Sequence, residues 1–406
     1  MAKFFVKLLK TICPKNLQNL DLVILAGGLG KRISFITKNT PKPLIKFGKL
    51  SFLNHLINFY AKYNFNKIYI LAGYKGNLIK KKFDKKIVNL TPVKCIVEKK
   101  PKGTAGALKE LKKQKIKNFI LVNGDSFFDI NLKKFIKGTK DCLVKIALAP
   151  NKIYKSNNLL SNIDIKNKKV FFKENSKYMN GGIYFINKKF LKILKNKGSL
   201  EQDYLKDLVI KKKISGIKFN NFFIDIGTKK NLYKSKIILP KLFINNAVFL
   251  DRDGVINYDY GYVHRHKDFL LKKGVIKGLK YLIKKKFNIF IITNQAGIAK
   301  NYYNEKQFLN FQKSLNEKFY NKNIFINDIQ YCPHHPNGKI QKYKIKCKCR
   351  KPNNKMILNI IKTHEINLNE SFMVGDKKID EICAKKSKLK FFYPKENFFK
   401  LIKNII

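Results

Sequence analysis

The chain has 406 residues, 45% of them hydrophobic, and a formal net charge of +61 at pH 7. That length favours two domains over a single core, and apolar runs broken by Lys or Asn exclude a membrane-spanning helix. The charge first suggests nucleic acid, but the basic residues are spread along the whole chain with no reader motif, which leaves only salt-sensitive attraction to polyanions and no specific nucleic-acid partner.

Only four of the 87 basic residues are arginine, at Arg32, Arg252, Arg265 and Arg350. A guanidinium presents a planar fork that matches phosphate, which an ammonium does not. Each of the four lies in a segment singled out below on other grounds. Of the seven cysteines, three crowd into residues 332–349 and the rest are scattered, as expected of reduced thiols in a cytoplasmic protein.

Residues 1–20 read as an N-terminal extension, in which 4–12 are amphipathic but too short to cross a membrane. Residues 21–27, 67–73 and 118–125 then read as buried strands alternating with helical stretches, the pattern of a mostly parallel sheet. Closer-spaced strands follow, including 143–149 and 181–186. The strand, loop, helix pattern restarts at 246–251, 287–293 and 371–376. The expected organisation is α/β, with two Rossmann-like three-layer domains at 21–240 and 245–406 that meet near Pro240 and Asn245. No low-complexity linker separates them, so they are expected to pack directly on each other.

In the first half, Gly27, Gly28 and Gly30 follow the opening strand and precede Lys31 and Arg32. Small residues there let backbone N–H groups approach phosphate oxygens, although a turn needing positive φ explains such a loop equally well. Further motifs follow in order: Thr-Pro-Lys42-Pro-Leu, Gly103-Thr104-Ala-Gly-Ala, Asn-Gly-Asp125, Asn180-Gly-Gly182-Ile-Tyr and Ile-Asp225-Ile-Gly-Thr. This series resembles the sugar-1-phosphate nucleotidyltransferases over roughly residues 21–235. The resemblance implies that Gly27, Gly28, Gly30, Lys31, Arg32 and Lys42 hold the triphosphate. It places Gly103 and Thr104 at the base, Glu174, Asn180 and Gly182 at the sugar, and Mg²⁺ on Asp125 and Asp225. Two departures stand out: Lys31 replaces the family's Thr or Ser, and Asn175 follows Glu174 where the family often has Lys, with Lys177 a partial substitute. Asp225 and Asp251 are too close in sequence for the left-handed β-helix of some relatives.

In the second half, Asp251-Arg-Asp253-Gly-Val ends a strand. Paired carboxylates two positions apart suit a nucleophile and a general acid–base. With Thr293 and Asn294 in Ile-Ile-Thr-Asn-Gln, Lys351 in Cys-Arg-Lys-Pro, and Asp376 in Val-Gly-Asp, the segment 246–390 resembles the haloacid dehalogenase phosphatases. The resemblance implies that Asp251 attacks phosphorus, Asp253 protonates the leaving oxygen, Thr293 binds the phosphoryl group and Lys351 neutralises charge. Asp251, Asp376 and the backbone of Asp253 would hold Mg²⁺, with Asp380 in support.

Between these motifs lie Cys332-Pro-His334-His335 and Cys347-Lys-Cys349. Three thiolates and one imidazole make a closed tetrahedral zinc site, structural because protein fills every position; His335 remains an alternative to His334. This loop narrows the resemblance to small phosphatases acting on heptose bisphosphate or histidinol phosphate. It also implies that Arg265 and Arg350 shape the pocket and grip a second phosphate. Only a short segment separates Asp253 from Thr293, so no large cap is expected.

Together the motifs imply a bifunctional enzyme of sugar phosphates and nucleoside triphosphate. It would remove the 7-phosphate of D-glycero-D-manno-heptose 1,7-bisphosphate and transfer a nucleotidyl group, guanylyl for preference, to heptose 1-phosphate, feeding a lipopolysaccharide or S-layer glycan. Two alternatives stay open: a hexose-1-phosphate nucleotidyltransferase fused to a histidinol-phosphate-type phosphatase, and a phosphatase carrying a non-catalytic nucleotide-sugar-binding module. The sequence leaves the oligomeric state open.

Overall fold

The computed structural model describes residues 17–28, 30–33, 37–151 and 160–406. The amphipathic stretch 4–12, Cys13 and the Lys31 side chain lie outside the described residues.

The first half is built on a ten-stranded sheet. Its order is Ile163–Lys166, Lys169–Phe172, Ile214–Lys218, Val144–Pro150, Tyr178–Ile186, Phe119–Asn123, Asp21–Ala26, Ile68–Ala72, Thr91–Val97 and Ile87–Val88. The opening strand pairs in parallel with Ile68–Ala72 on one side and Phe119–Asn123 on the other. Both flanking strands are continuous apolar runs, which suits strands covered on both faces. Leu22, Ile24 and Ile70 enter one hydrophobic core, while Val23, Tyr69 and Leu71 enter another on the opposite face. The opening strand is thus a switch point, with neighbours reached by connections in opposite directions. Ligands of such sheets bind beyond the carboxyl ends of the strands at that point.

The second half repeats this logic with a five-stranded parallel sheet, ordered Asp328–Cys332, Asn288–Asn294, Ala247–Leu250, Phe372–Val374 and Lys390–Phe392. Ala247–Leu250 is its switch point. Ala247 and Phe249 face one core, Val248 and Leu250 the other. The helix Lys229–Phe243 leads across and runs through Pro240 before the chain enters this sheet. Among the described residues no helix is long and apolar enough to cross a membrane.

The halves pack directly, and each donates a residue to the other's core. Leu90 lies in the core of the second half, and Tyr320 in that of the first, with Phe325 packed against it. Polar contacts accompany the exchange. Asn89 donates its backbone N–H to Asp328 (3.0 Å) and its side-chain amide to Ile326 O (2.8 Å). The buried Glu365 accepts the backbone N–H groups of Lys49 and Leu50. His364 beside it is also buried, meets Phe290 edge-on, and has no partner at Nε2.

Candidate functional site

Beyond the carboxyl ends of the first sheet lies a cavity of about 970 Å³. Gly27, Gly28, Arg32, Lys42, Gly103, Thr104, Asp125, Asn180, Gly182 and Asp225 all line it. Gly30 closes the glycine loop with φ of 65°. Gly103 has no substitute: its φ is 73°, and a Cβ would lie 2.3 Å from Gly198 O. Thr104 Oγ1 accepts the Leu200 N–H at 2.7 Å, which ties the helix Gly103–Lys109 to the far wall.

Lys42 is buried and donates to Asp125 at 2.8 Å. Asp225 accepts from Gly227 N (2.8 Å) and Asn231 Nδ2 (2.7 Å). A Cβ added to Gly227 would lie 3.0 Å from Asp225 Oδ1, 3.5 Å from Lys42 Nζ and 3.6 Å from Arg32 Nη2, so these charges converge on one small cradle. Burial raises the Asp225 pKa, and the neighbouring Asp125 raises it further. Two crowded carboxylates opposed by Lys42 and Arg32 suit a cation and the phosphates it accompanies.

Glu174 is not part of this cavity; it lies in an exposed turn with Asn175. The connection between the strands Lys169–Phe172 and Tyr178–Ile186 holds it in solvent, and Glu201 stands at the cavity wall instead. Glu201 accepts Asn180 Nδ2 at 2.9 Å and the Tyr184 hydroxyl at 3.2 Å. Burial raises its pKa. Glu98, from the end of the strand Thr91–Val97, is a second carboxylate on the wall. No motif marked either residue.

The second centre sits at the switch point of the five-stranded sheet. Asp251 follows Ala247–Leu250, Thr293 ends Asn288–Asn294, and Asp376 follows Phe372–Val374. Lys351 Nζ, fully buried, pairs with Asp251 Oδ2 at 2.9 Å and Asp380 Oδ1 at 2.6 Å. Burial alone would depress this lysine, but the two carboxylates outweigh it and hold its pKa above the ordinary range. Burial pushes Asp251 up to about 7 against the pull of Lys351. One oxygen each of Asp251, Asp376 and Asp380 lies within 4.8 Å of the others. Asp376 Oδ1 is buried without a hydrogen-bond donor, as befits a carboxylate that faces a cation. Gly254, at φ 83°, leaves room for Asp376, whose Oδ2 would lie 2.2 Å from an added Cβ. The group therefore fits a divalent metal, with Asp380 brought fully into the cluster.

Asp253 is aimed by three neighbours: Arg252 Nη2 (2.8 Å), Asn257 Nδ2 (2.9 Å) and Gln295 Nε2 (3.2 Å). Arg252 is buried and also donates to Val263 O. Its rarity in a lysine-rich chain was the available signal; Gln295 closes the Ile-Ile-Thr-Asn-Gln motif, and Asn257 had no signal. Thr293 is buried and accepts from Gln295 at 2.8 Å. Asn294 hydrogen-bonds both the N–H and the C=O of Lys351, which fixes that residue's backbone.

Cys332, His334, Cys347 and Cys349 converge, with Sγ and Nδ1 atoms 3.2–3.6 Å apart along the measured edges. A tetrahedron with bonds of about 2.3 Å has edges of roughly 3.7 Å, so the set fits a four-coordinate metal. Burial lowers the His334 pKa, which favours the neutral imidazole a metal needs. His335 lies outside this cluster and accepts from Asn337 N instead. Arg350 donates to His334 O beside the cluster (3.3 Å). Arg265 is not brought to it: it is exposed, paired with Asp268, and lines a separate cleft with Tyr260, Tyr262 and Tyr302.

Fold and centres define a two-domain enzyme, a nucleotidyltransferase joined to a haloacid dehalogenase-like phosphatase. The Nucleotidyl transferase family matches residues 22–158, and the Haloacid dehalogenase-like hydrolase family matches residues 343–393. The D-glycero-beta-D-manno-heptose-1,7-bisphosphate 7-phosphatase of Haemophilus influenzae is 44% identical over 134 residues, covering 33% of this chain and 72% of that protein. The Escherichia coli K12 protein of the same name is 40% identical over 138 residues, covering 34% and 72%. Among solved structures, HddC from Yersinia pseudotuberculosis is 28% identical with a TM-score of 0.46, covering 54% of this chain and 99% of that one. Through its second half the chain belongs to the D-glycero-beta-D-manno-heptose-1,7-bisphosphate 7-phosphatase family.

Proposed function

We propose that the protein catalyses two consecutive steps of heptose activation. The phosphatase centre removes the 7-phosphate of D-glycero-D-manno-heptose 1,7-bisphosphate. The nucleotidyltransferase centre then joins a guanylyl group from GTP to the freed heptose 1-phosphate, for use in a cell-surface glycan. The observation that carries this reading is the convergence of Asp251, Lys351, Asp376 and Asp380 in a chain of this phosphatase family, with a cavity lined by Arg32, Lys42, Asp125 and Asp225 in the same molecule.

In the first step Asp251 Oδ attacks phosphorus and the ester P–O bond breaks, leaving an aspartyl-phosphate. Asp253 gives its proton to the leaving sugar oxygen. It then takes a proton from the water that attacks the phosphoryl group, and Asp251 is regenerated as phosphate leaves. Thr293 and Lys351 bind the transferring oxygens; Asp251, Asp376 and the Asp253 backbone would hold Mg²⁺, which would supply charge neutralisation. Cys332, His334, Cys347 and Cys349 would hold Zn²⁺, which would order the loop that carries Arg350, the residue assigned here to the substrate's second phosphate. The thiolates belong in a reducing cytoplasm.

In the second step an oxygen of the sugar phosphate attacks the α-phosphorus and pyrophosphate departs. No protein nucleophile is required; Arg32 and Lys42 neutralise the phosphates, and Asp125 and Asp225 would hold Mg²⁺. Purified protein supplied with heptose 1,7-bisphosphate, Mg²⁺ and each of GTP, ATP, CTP and UTP should release phosphate, then pyrophosphate and nucleotide-sugar with GTP. Phosphate release without pyrophosphate from any triphosphate would overturn the transfer step. No phosphate release would overturn the hydrolytic one.

A further inference from the structure

The contacts between the halves fall away from both centres. On the phosphatase side they gather at the amino ends of the strands. Asp328, which accepts the Asn89 N–H at 3.0 Å, begins the strand that Cys332 ends. Ile326, which accepts the Asn89 side-chain amide at 2.8 Å, lies just ahead of that strand. The helix Glu305–Asn321 meets the first half along its C-terminal half, where Lys313 O accepts Asn64 Nδ2 at 3.3 Å and Tyr320 O accepts Lys133 Nζ at 3.2 Å. Glu365 O accepts the Asn245 N–H, just before the central strand Ala247–Leu250. Asp251, Thr293 and Asp376 stand at the opposite, carboxyl ends.

The transferase half is joined in the same sense. Asn89 and Leu90 lead into the amino end of Thr91–Val97, whose other end reaches the cavity at Glu98. Tyr63 packs on Phe325 and Tyr320, with ring centres 5.2 and 6.4 Å apart, and precedes the strand Ile68–Ala72. The contacts of Glu365 with Lys49 and Leu50, and of Thr363 O with Asn58, lie beside the helix Phe52–Ala61. None of these residues lines the cavity, whose lining runs from Leu25 to Asn231 in the chain. At about 3.3 Å per strand residue, each centre stands roughly 15–20 Å beyond the seam, on its own far side.

We propose that heptose 1-phosphate leaves the phosphatase centre into bulk solvent, and that the transferase cavity takes it from a free pool. The centres open in opposite directions. An internal passage would have to cross the packed seam of Leu90, Tyr320 and Phe325, where a sugar phosphate would lose its hydration with no charge to replace it. Guidance over the surface is weak as well. The lysines are spread along the whole chain and mark no track, and at physiological salt an exposed charge acts over about 8 Å, less than the distance from either centre to the seam. The inference rests on the two-step reading, and it adds that each centre meets its sugar phosphate from solution. The transferase therefore accepts heptose 1-phosphate from any source, and the phosphatase supplies any other enzyme that consumes it.

Isotope dilution on the full chain at physiological salt tests it. Protein with Mg²⁺, GTP, ATP, CTP and UTP receives heptose 1,7-bisphosphate labelled in its carbons, together with unlabelled heptose 1-phosphate in about tenfold excess. The label per mole of nucleotide-sugar should fall at least about tenfold below that of the bisphosphate, because the product is drawn from the mixed pool by mass action. Nucleotide-sugar that carries more label than the free heptose 1-phosphate would show direct passage and overturn the inference. Two controls keep the parent reading apart: phosphate release from the bisphosphate alone, and pyrophosphate release with heptose 1-phosphate alone. Failure of either control would overturn the two-step reading and this inference with it. Success of both, with label above that of the pool, would overturn the inference only.

Discussion

His364 makes the junction between the halves sensitive to acid. It is buried between the domains, and burial holds its pKa at about 4 against an ordinary 6.5, with nearby His55 pushing the same way. A histidine depressed in the folded state binds its proton more readily when unfolded. Its neutral form is therefore compatible with folding above about pH 6.5, and stability falls as pH drops from there towards 4. Between about pH 7 and pH 5 the loss from this residue is about 2 kcal/mol, a sizeable part of a domain's usual 5–15 kcal/mol or so. For folding units of this size that is a drop in Tm of about 4–8 °C. The matched variant is His364→Phe, which keeps an aromatic ring against Phe290 and removes the titration. Urea unfolding of both proteins at the two pH values isolates the residue, since His55 and the carboxylates are common to both. The wild type should lose about 2 kcal/mol more than the variant. Equal losses would refute the argument and assign the acid sensitivity elsewhere.

Three further outcomes follow from the two centres. Asp251→Asn should abolish phosphate release by at least about 1,000-fold and leave pyrophosphate release within about twofold, since the cavities lie on separate sheets; parallel assays of both products check it. Cys347→Ser should lower bound zinc, measured by mass spectrometry, and destabilise the second half by several kcal/mol, roughly 3 or more, with unchanged metal content and Tm counting against the cluster. Asp125→Ala should cut nucleotidyl transfer by about 100-fold or more without touching phosphate release, because Lys42 loses its partner and Asp225 loses its neighbouring carboxylate.

Much of this architecture was legible in the sequence, for a physical reason. Central parallel strands are buried on both faces, so Asp21–Ala26, Phe119–Asn123 and Ala247–Leu250 appear as uninterrupted apolar runs, and the residue that follows each run falls at a switch point. Asp251, Asp125 and the glycine loop were found that way. The cysteine–histidine cluster was legible because its residues come in two short pairs. Glu98 and Glu201 were not legible, since each reaches its site only through the packing of a wall that carries no spacing signal. Glu174 shows the converse: a motif position was present, but it falls in an exposed turn outside the cavity lining. Between Pro240 and Asn245, where the sequence reading set the edge of the domains, the helix Lys229–Phe243 ends with Ile244 as its cap.

The exchange of Leu90 and Tyr320 between the halves constrains how this chain can be divided. Cut at Ile244, the first fragment would present Leu90 and Asn89 to water, and the second would leave Tyr320, Phe325 and the carboxylate of Glu365 without their sockets. Each fragment would carry an adhesive patch shaped for the other. Separately expressed halves should therefore be poorly soluble alone and should reassemble on mixing. A gene split at this point would require the two products to be made in step.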